Sequence, residues 1–273
     1  MFGERMFNPP LIAILMIGNV ALLLFGLKFL MPKKVFSYSP QDIFGLLNKY
    51  RAGIIVSVSI LLFHGFVEVF LLDGMATEWI NSIVGEDYFT QILYSIEGDL
   101  AHSSAQWNTP MLYIFFGAYA VVYPFLLWFM PTYFVLEDGD ASNMAIFMYP
   151  TMYAIQLPFM LFFPVTNVYK YLELESALEL VLPGYESSYY LFTTVNNCFP
   201  SLHVAFPFSV MLISSYSENR RLKWFTAACV VLIAFAVFYL SIHWLLDVIG
   251  GIALAVFTFI LLRWITKRKS IGS

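Results

Sequence analysis

The chain carries four histidines, His64, His102, His203 and His243, and their neighbours separate them by the chemistry they can do. Asp247 follows His243 by four residues, so on a continuous helix the two side chains share one face. A carboxylate within reach of an imidazole fixes its tautomer and stabilises its charged form, which prepares a histidine as nucleophile or base. His203 closes the stretch Asn197-Cys198-Phe199-Pro200-Ser201-Leu202-His203, where Pro200 and Ser201 mark the start of a helix. Two helix N-termini at one level, each with a histidine, offer free amides and positive dipole ends, and both favour phosphate. Two imidazoles, one neutral and one protonated, can relay a proton near neutral pH. Ser201 suits donation to a phosphate oxygen or capping of its helix. Asn196 and Asn197 suit neutral donation or turn formation. His64 and Glu68 repeat the His-x-x-x-acid spacing, while Asp99 and His102 lie farther on. A zinc site built from these four lacks tight ligand spacing.

The elements that position these residues follow from composition. Of 273 residues, 60% are hydrophobic, 19% aromatic and 12% charged, against about 45–50% apolar and about 25% charged in a soluble domain. Such a chain needs a bilayer as solvent. A net charge of −4 without a basic stripe excludes nucleic acid as a partner, and the apolar content excludes disorder. Two cysteines make no disulfide framework, and Cys229, inside an apolar run, reads as a small core residue. Runs of about 20 apolar residues give seven candidate spans: Leu11–Phe29, Ala52–Leu72, Pro110–Leu136, Met144–Val165, Ser201–Ser217, Trp224–Leu240 and His243–Trp264. The first reads as a retained anchor, because its basic residues lie at its far end and no small-residue cleavage site follows. With no linker and no fixed-period repeat, residues 1–273 form one all-α membrane domain. Residues 1–143 hold the N-terminal spans and an outer segment, and residues 144–266 hold the spans that carry His203 and His243.

Lys and Arg set the orientation, since cytoplasmic loops collect them. Placing Lys33, Lys34, Lys49, Arg51, Arg220, Arg221, Lys223, Lys267, Arg268 and Lys269 inside, with Lys28 and Arg263 near the inner face, leaves just Arg5 and Lys170 outside. The N-terminus is then outside and the C-terminus cytoplasmic, with His203 and His243 both opening spans at the extracytoplasmic or lumenal face. Asp73–Thr109 and Thr166–Pro200 face outward. In the former, Trp79, Ile80, Ile83, Val84, Tyr88, Phe89, Ile92 and Leu93 recur near helical spacing, with Glu78, Glu86, Asp87 and Glu97 between them. This suits an amphipathic helix on the membrane surface or a lid packed on the bundle. Tyr169, Tyr171, Tyr185, Tyr189 and Tyr190 in the latter suit a headgroup boundary.

Pro200-Ser201-Leu202-His203 resembles the Pro-Ser-Gly-His motif of the type 2 phosphatidic acid phosphatase superfamily, lipid phosphatases related to vanadium haloperoxidases. The stretch from Tyr239 to Gly251, with His243-Trp244-Leu245-Leu246-Asp247 at its centre, resembles the third motif of that superfamily. The likeness covers roughly Phe163–Arg263 and implies a six-helix core. It implies that His243 attacks phosphorus to give a phosphohistidine, that Asp247 orients and stabilises its ring, and that His203 protonates the leaving alcohol and then deprotonates the incoming one. It implies no metal and no cofactor. The departures are specific: Lys-x6-Arg-Pro of the first motif is absent, the third-motif arginine position holds Val237, and Leu202 replaces the second-motif glycine. Of the usual cations, Lys170 remains, just after Phe163-Pro164-Val165-Thr166-Asn167. These losses resemble the inositol phosphotransferase branch, which includes inositol phosphorylceramide synthases.

Charge supports that branch. A phosphomonoester carries nearly two charges that a buried site must compensate, whereas a phosphodiester carries one. Lys170, two helix N-termini and hydroxyl or amide donors such as Ser201 and Asn197 then suffice. Ionisable groups within a span count as functional candidates, so His64 and Glu68 read as headgroup-binding residues or as mutual partners in the bundle. The expected function is transfer of a phospho-alcohol headgroup, inositol phosphate first, from a phospholipid donor to a lipid alcohol acceptor in the bilayer. The alternatives are hydrolysis of phosphatidate or a polyprenyl diphosphate, and a non-catalytic lipid-binding or transport protein on the same scaffold.

Overall fold

The computed structural model describes residues 9–104, 108–139, 141–186, 190 and 193–271. Arg5 and Tyr189 lie outside the described residues, as do the side chains of His102, Lys267, Arg268 and Lys269. Among the described residues the regular elements are helices, with one isolated parallel bridge between Val165 and Asn197. The protein is an all-α polytopic membrane protein. Six helices are long and apolar enough to cross a bilayer: Ala13–Leu30, Arg51–Val84, Thr109–Glu137, Ser142–Phe162, Arg220–Tyr239 and Leu245–Thr266. The fifth expected span is a shorter apolar helix, Leu202–Ser214, packed chiefly against the two long helices that follow it in sequence.

Apolar side chains sort by neighbour rather than by type. Tyr133, Phe134, Leu126, Met152 and Phe206 are fully buried where the third, fourth and fifth helices meet. Ile17, Leu24, Ile55, Phe66, Phe70, Trp128 and Phe235 point outward, exposed as lipid-facing residues are. The first two long helices bury little against the rest, whereas the last four enclose the site. At the end of the bundle remote from His203, the Asn219 amide donates to the Leu30 carbonyl (2.6 Å) and the Tyr133 hydroxyl (3.2 Å), joining the first, third and sixth helices.

The second span differs from its expected extent. Instead of ending at Leu72 it continues for 34 residues to Val84 through a π-helical run, His64–Leu72. Asp73–Val84 is therefore not surface helix but the projecting end of this span, with Trp79 edge-on to Phe162 (6.1 Å between centroids). Two acidic side chains tolerate this because both are buried against polar partners from the loop before His203. Gly85, at φ +99°, stops the helix in a conformation L side chains rarely adopt. The amphipathic surface helix is Tyr88–Ser104 alone, and it is broken at Glu97 (φ −132°, ψ 16°).

Gly251 sets the closest approach in the core. A Cβ there would stand 2.5 Å from the Ser201 carbonyl oxygen, with Val204 Cβ at 3.2 Å and Ala205 N at 3.3 Å. Backbone cannot swing aside as a side chain can, so Gly251→Ala must push the last helix off the turn that carries His203. Misplacement on the ångström scale costs roughly 100-fold in rate. Turnover per mole of purified, folded G251A should fall by about that factor; a wild-type rate would show that the two helices part without cost.

Candidate active site

His203 and His243 meet because two chain turns bring them together. The sixth helix, Arg220–Tyr239, is followed by Leu240 as its C-cap, and Ser241 adopts a left-handed conformation (φ +56°). Ser241 N–H donates to Phe238 O (3.0 Å) and Ile242 N–H to Val237 O (3.1 Å), the reciprocal pattern that normally closes a helix around glycine. His243 N–H also donates to Val237 O (3.1 Å), so the imidazole emerges from a fixed turn. Val237 thus contributes through its backbone. The last helix begins at Leu245, two residues later than expected, so His243 and Asp247 do not share a continuous helix. Asp247 sits in the first turn and reaches back: its Oδ2 accepts the Trp244 N–H (2.9 Å), as an acidic residue does in a capping box. The same oxygen lies 3.2 Å from His243 Nδ1.

The second turn is pinned from three sides. Ser201 N–H donates to the Asp247 carbonyl (3.0 Å), and the Gln156 amide of the fourth helix donates to the Pro200 carbonyl (2.8 Å). Upstream, Val165 N–H donates to Asn196 O and Asn167 N–H to Val195 O, both at 2.8 Å. Trp244 Nε1–H closes the circuit on Thr166 O (2.8 Å). His203 then leaves the helix start with its ring against Tyr119 (4.8 Å) and Tyr123 (4.6 Å) of the third helix. Its Nδ1 lies 3.2 Å from His243 Nε2.

The result is a continuous relay, Asp247–His243–His203, with His243 and Asp247 buried. A carboxylate beside Nδ1 favours the tautomer that keeps a lone pair on His243 Nε2. Cys198 Sγ, His243 and Asp247 form the one metal-capable group among the described residues, with ligand atoms within 4.8 Å of one another. The Cys198 sulfur contacts the Val195 and Ile242 carbonyls, and burial pushes its thiol well above the ordinary range, with Asp247 adding to the effect. It is therefore a packed thiol rather than a thiolate ligand or nucleophile.

The other candidates divide. Ser201 Oγ is fully buried without a partner at the start of the fifth helix, which has no side-chain cap. Asn197 Nδ2 donates to Glu68 Oε1 (3.1 Å), and Glu68 Oε2 stands 2.8 Å from His64 Nδ1, so these three residues tie the second span to the His203 turn. Lys170 is engaged elsewhere: its ammonium pairs with Glu186 Oε1 at 2.6 Å and lies 5.4 Å from the Tyr169 ring centre. The expected pair of open helix N-termini is also corrected. Glu97 occupies the start of the last helix, where Leu245 N–H donates to its Oε2 (2.6 Å) and Leu246 N–H to its Oε1 (2.9 Å). Gln156, Glu97, Tyr119 and Tyr123 were not singled out from the sequence. Gln156 carried a usable signal, a lone amide in an apolar run; two tyrosines four residues apart look like ordinary filling.

A PAP2 superfamily profile matches residues 95–261, more than half of the chain. The chain belongs to the PAP2 superfamily. That membership supports a lipid phosphatase or phosphotransferase-type activity, and the matched region extends beyond the two histidine motifs to take in the third span and the Glu97 segment. Comparison with curated proteins and with solved structures gives no match. For this PAP2 superfamily chain, the finer assignment rests on the geometry of its own site.

Proposed function

We propose that this protein is a membrane phosphotransferase. It moves a phospho-alcohol headgroup, inositol phosphate first, from a phospholipid to a lipid alcohol through a phosphohistidine on His243. The observation that carries this reading is the relay itself: a carboxylate on one side of His243 and a second imidazole on the other. His243 Nε2 attacks phosphorus and the bond to the lipid alcohol breaks. His203 supplies the proton that the departing alkoxide needs. An incoming lipid alcohol then gives its proton to His203 and takes the phospho-headgroup from His243, restoring both rings. Asp247 offsets the positive charge on the phosphorylated ring.

The choice of a diester rests on charge. Lys170 is paired with Glu186, and Glu97 takes one helix N-terminus, so compensation for a doubly charged phosphate is scarce. Ser201 Oγ and the uncapped start of the fifth helix suit a singly charged group. With phosphatidylinositol and a diacylglycerol or ceramide acceptor in mixed micelles, the expected outcome is an acceptor-dependent new phosphoinositol lipid with phosphatidate left intact. Release of inorganic phosphate from phosphatidate without acceptor would instead establish a lipid phosphatase.

A further inference from the structure

Glu97 stands outside the relay yet touches the helix that carries it. It is 8 % exposed, and it sits where the helix Tyr88–Ser104 breaks, so its backbone departs from helical geometry to deliver the carboxylate inward. Its surroundings are fixed. Leu93 and Ala101 of the same helix pack with Trp244, and the Trp244 ring meets Tyr94 (6.4 Å) and Tyr171 (5.8 Å) edge-on. The two carboxylate oxygens each accept one N–H, from Leu245 and Leu246. Burial pushes the Glu97 carboxyl above its ordinary range, while these two N–H bonds favour the ionised form. A surface groove of about 590 Å³, lined by Tyr94, Glu97, Asp99, Leu245 and Leu246, runs along this junction.

A helix N-terminus is worth roughly half a positive charge to a nearby anion. Here a full negative charge already occupies that position, two residues from His243, and Asp247 adds a second carboxylate on the same turn. The field at the His243 side is therefore reversed relative to an open helix start. We infer that Glu97 is a specificity-determining residue: its carboxylate sets the charge the site accepts, admitting singly charged phosphodiesters and rejecting doubly charged phosphomonoesters. The inference rests on the reading of His243 as the attacking group. As a scale, two like charges about 8 Å apart at an effective dielectric constant near 20 repel by enough to disfavour binding on the order of 30-fold.

The test compares two charges of one substrate class on the purified full-length chain. On the wild type, a monoanionic methyl ester of a long-chain alkylphosphonate should inhibit at least tenfold more tightly than the dianionic alkylphosphonate; equal or reversed affinities overturn the inference. In Glu97→Gln, which keeps one acceptor and removes the charge, kcat/KM for phosphatidate relative to phosphatidylinositol should rise at least tenfold. Inhibition by orthophosphate should tighten in parallel. Glu97→Asp keeps the charge, so its ratio should stay near that of the wild type even where both rates fall. A Glu97→Gln ratio that stays constant, with both rates unchanged or both reduced together, means Glu97 is a helix cap and nothing more. Failure of the underlying reading looks different: acid-labile label from the phospholipid would then not depend on His243 at all.

Discussion

His243→Ala should abolish turnover, with a loss of at least about 10⁴-fold, and should eliminate any acid-labile phosphoenzyme. The size follows from the position of the ring. His243 is held by Asp247 Oδ2 at 3.2 Å on one nitrogen and faces His203 at 3.2 Å on the other, so no neighbour can take its place. Cys198 is the nearest alternative nucleophile, and its burial keeps it a thiol. Rapid acid-free quenching of a reaction with donor labelled at phosphorus, followed by mild acid treatment, reads out the intermediate directly. A variant that keeps one tenth of wild-type activity would remove His243 from the mechanism. Stability should also fall, because the buried Asp247 carboxylate keeps the Trp244 N–H and loses its imidazole partner, so turnover is read per mole of folded protein.

Asp247→Asn should cost about 10⁴-fold in kcat, by analogy with amidation of an orienting carboxylate in a hydrolase triad. The substitution is nearly isosteric, but the carboxylate does three things at once. Its Oδ2 accepts the Trp244 N–H, stands against His243 Nδ1 and carries the charge that stabilises a cationic ring. An asparagine satisfies Trp244 with its carbonyl and then offers no charge to His243. If its amide instead faces Nδ1, the imidazole must take the other tautomer, which protonates the nitrogen that attacks. In the first case the helix cap survives and the ring loses its stabilising charge; in the second the attacking nitrogen is protonated and Trp244 N–H loses its acceptor, since Oδ2 serves both partners. The expected signature is a large fall in kcat with KM within a few-fold. A mild effect on kcat would show that the imidazole needs no orienting charge.

The four-residue spacing of His243 and Asp247 could be read from the residues, whereas the pairing of His203 with a histidine forty positions on came from the resemblance; the fold brings the three side chains side by side. The spans could be read because hydrocarbon imposes a length on apolar runs. The parts that could not be read are those where tertiary contact decides. Glu97 looked like one more acidic residue on a surface helix, and only the last helix arriving beside it gives the carboxylate two amides to hold. Asp73 and Glu78 looked like the beginning of a surface segment, yet the second span continues past them because Asn197 and neighbouring polar groups offset the burial of its acids. The start of the last helix shifted from His243 to Leu245 because Ser241 takes a left-handed conformation, which sequence patterning assigns to glycine. Lys170 was singled out for its position in the chain, and its pairing with Glu186 depends on a loop whose course has no periodic signal.

The brevity of the fifth helix has a consequence for how substrates reach the chemistry. Its 13 residues rise about 20 Å, which is roughly 10 Å less than the hydrocarbon thickness of a bilayer. With its Ser214 end at one interface, its His203 end lies beneath the plane of the opposite headgroups. In the proposed transfer a lipid phosphate would have to sink to reach His243, whereas the hydroxyl of a membrane-embedded acceptor would already sit near that depth and water would be the scarcer reactant.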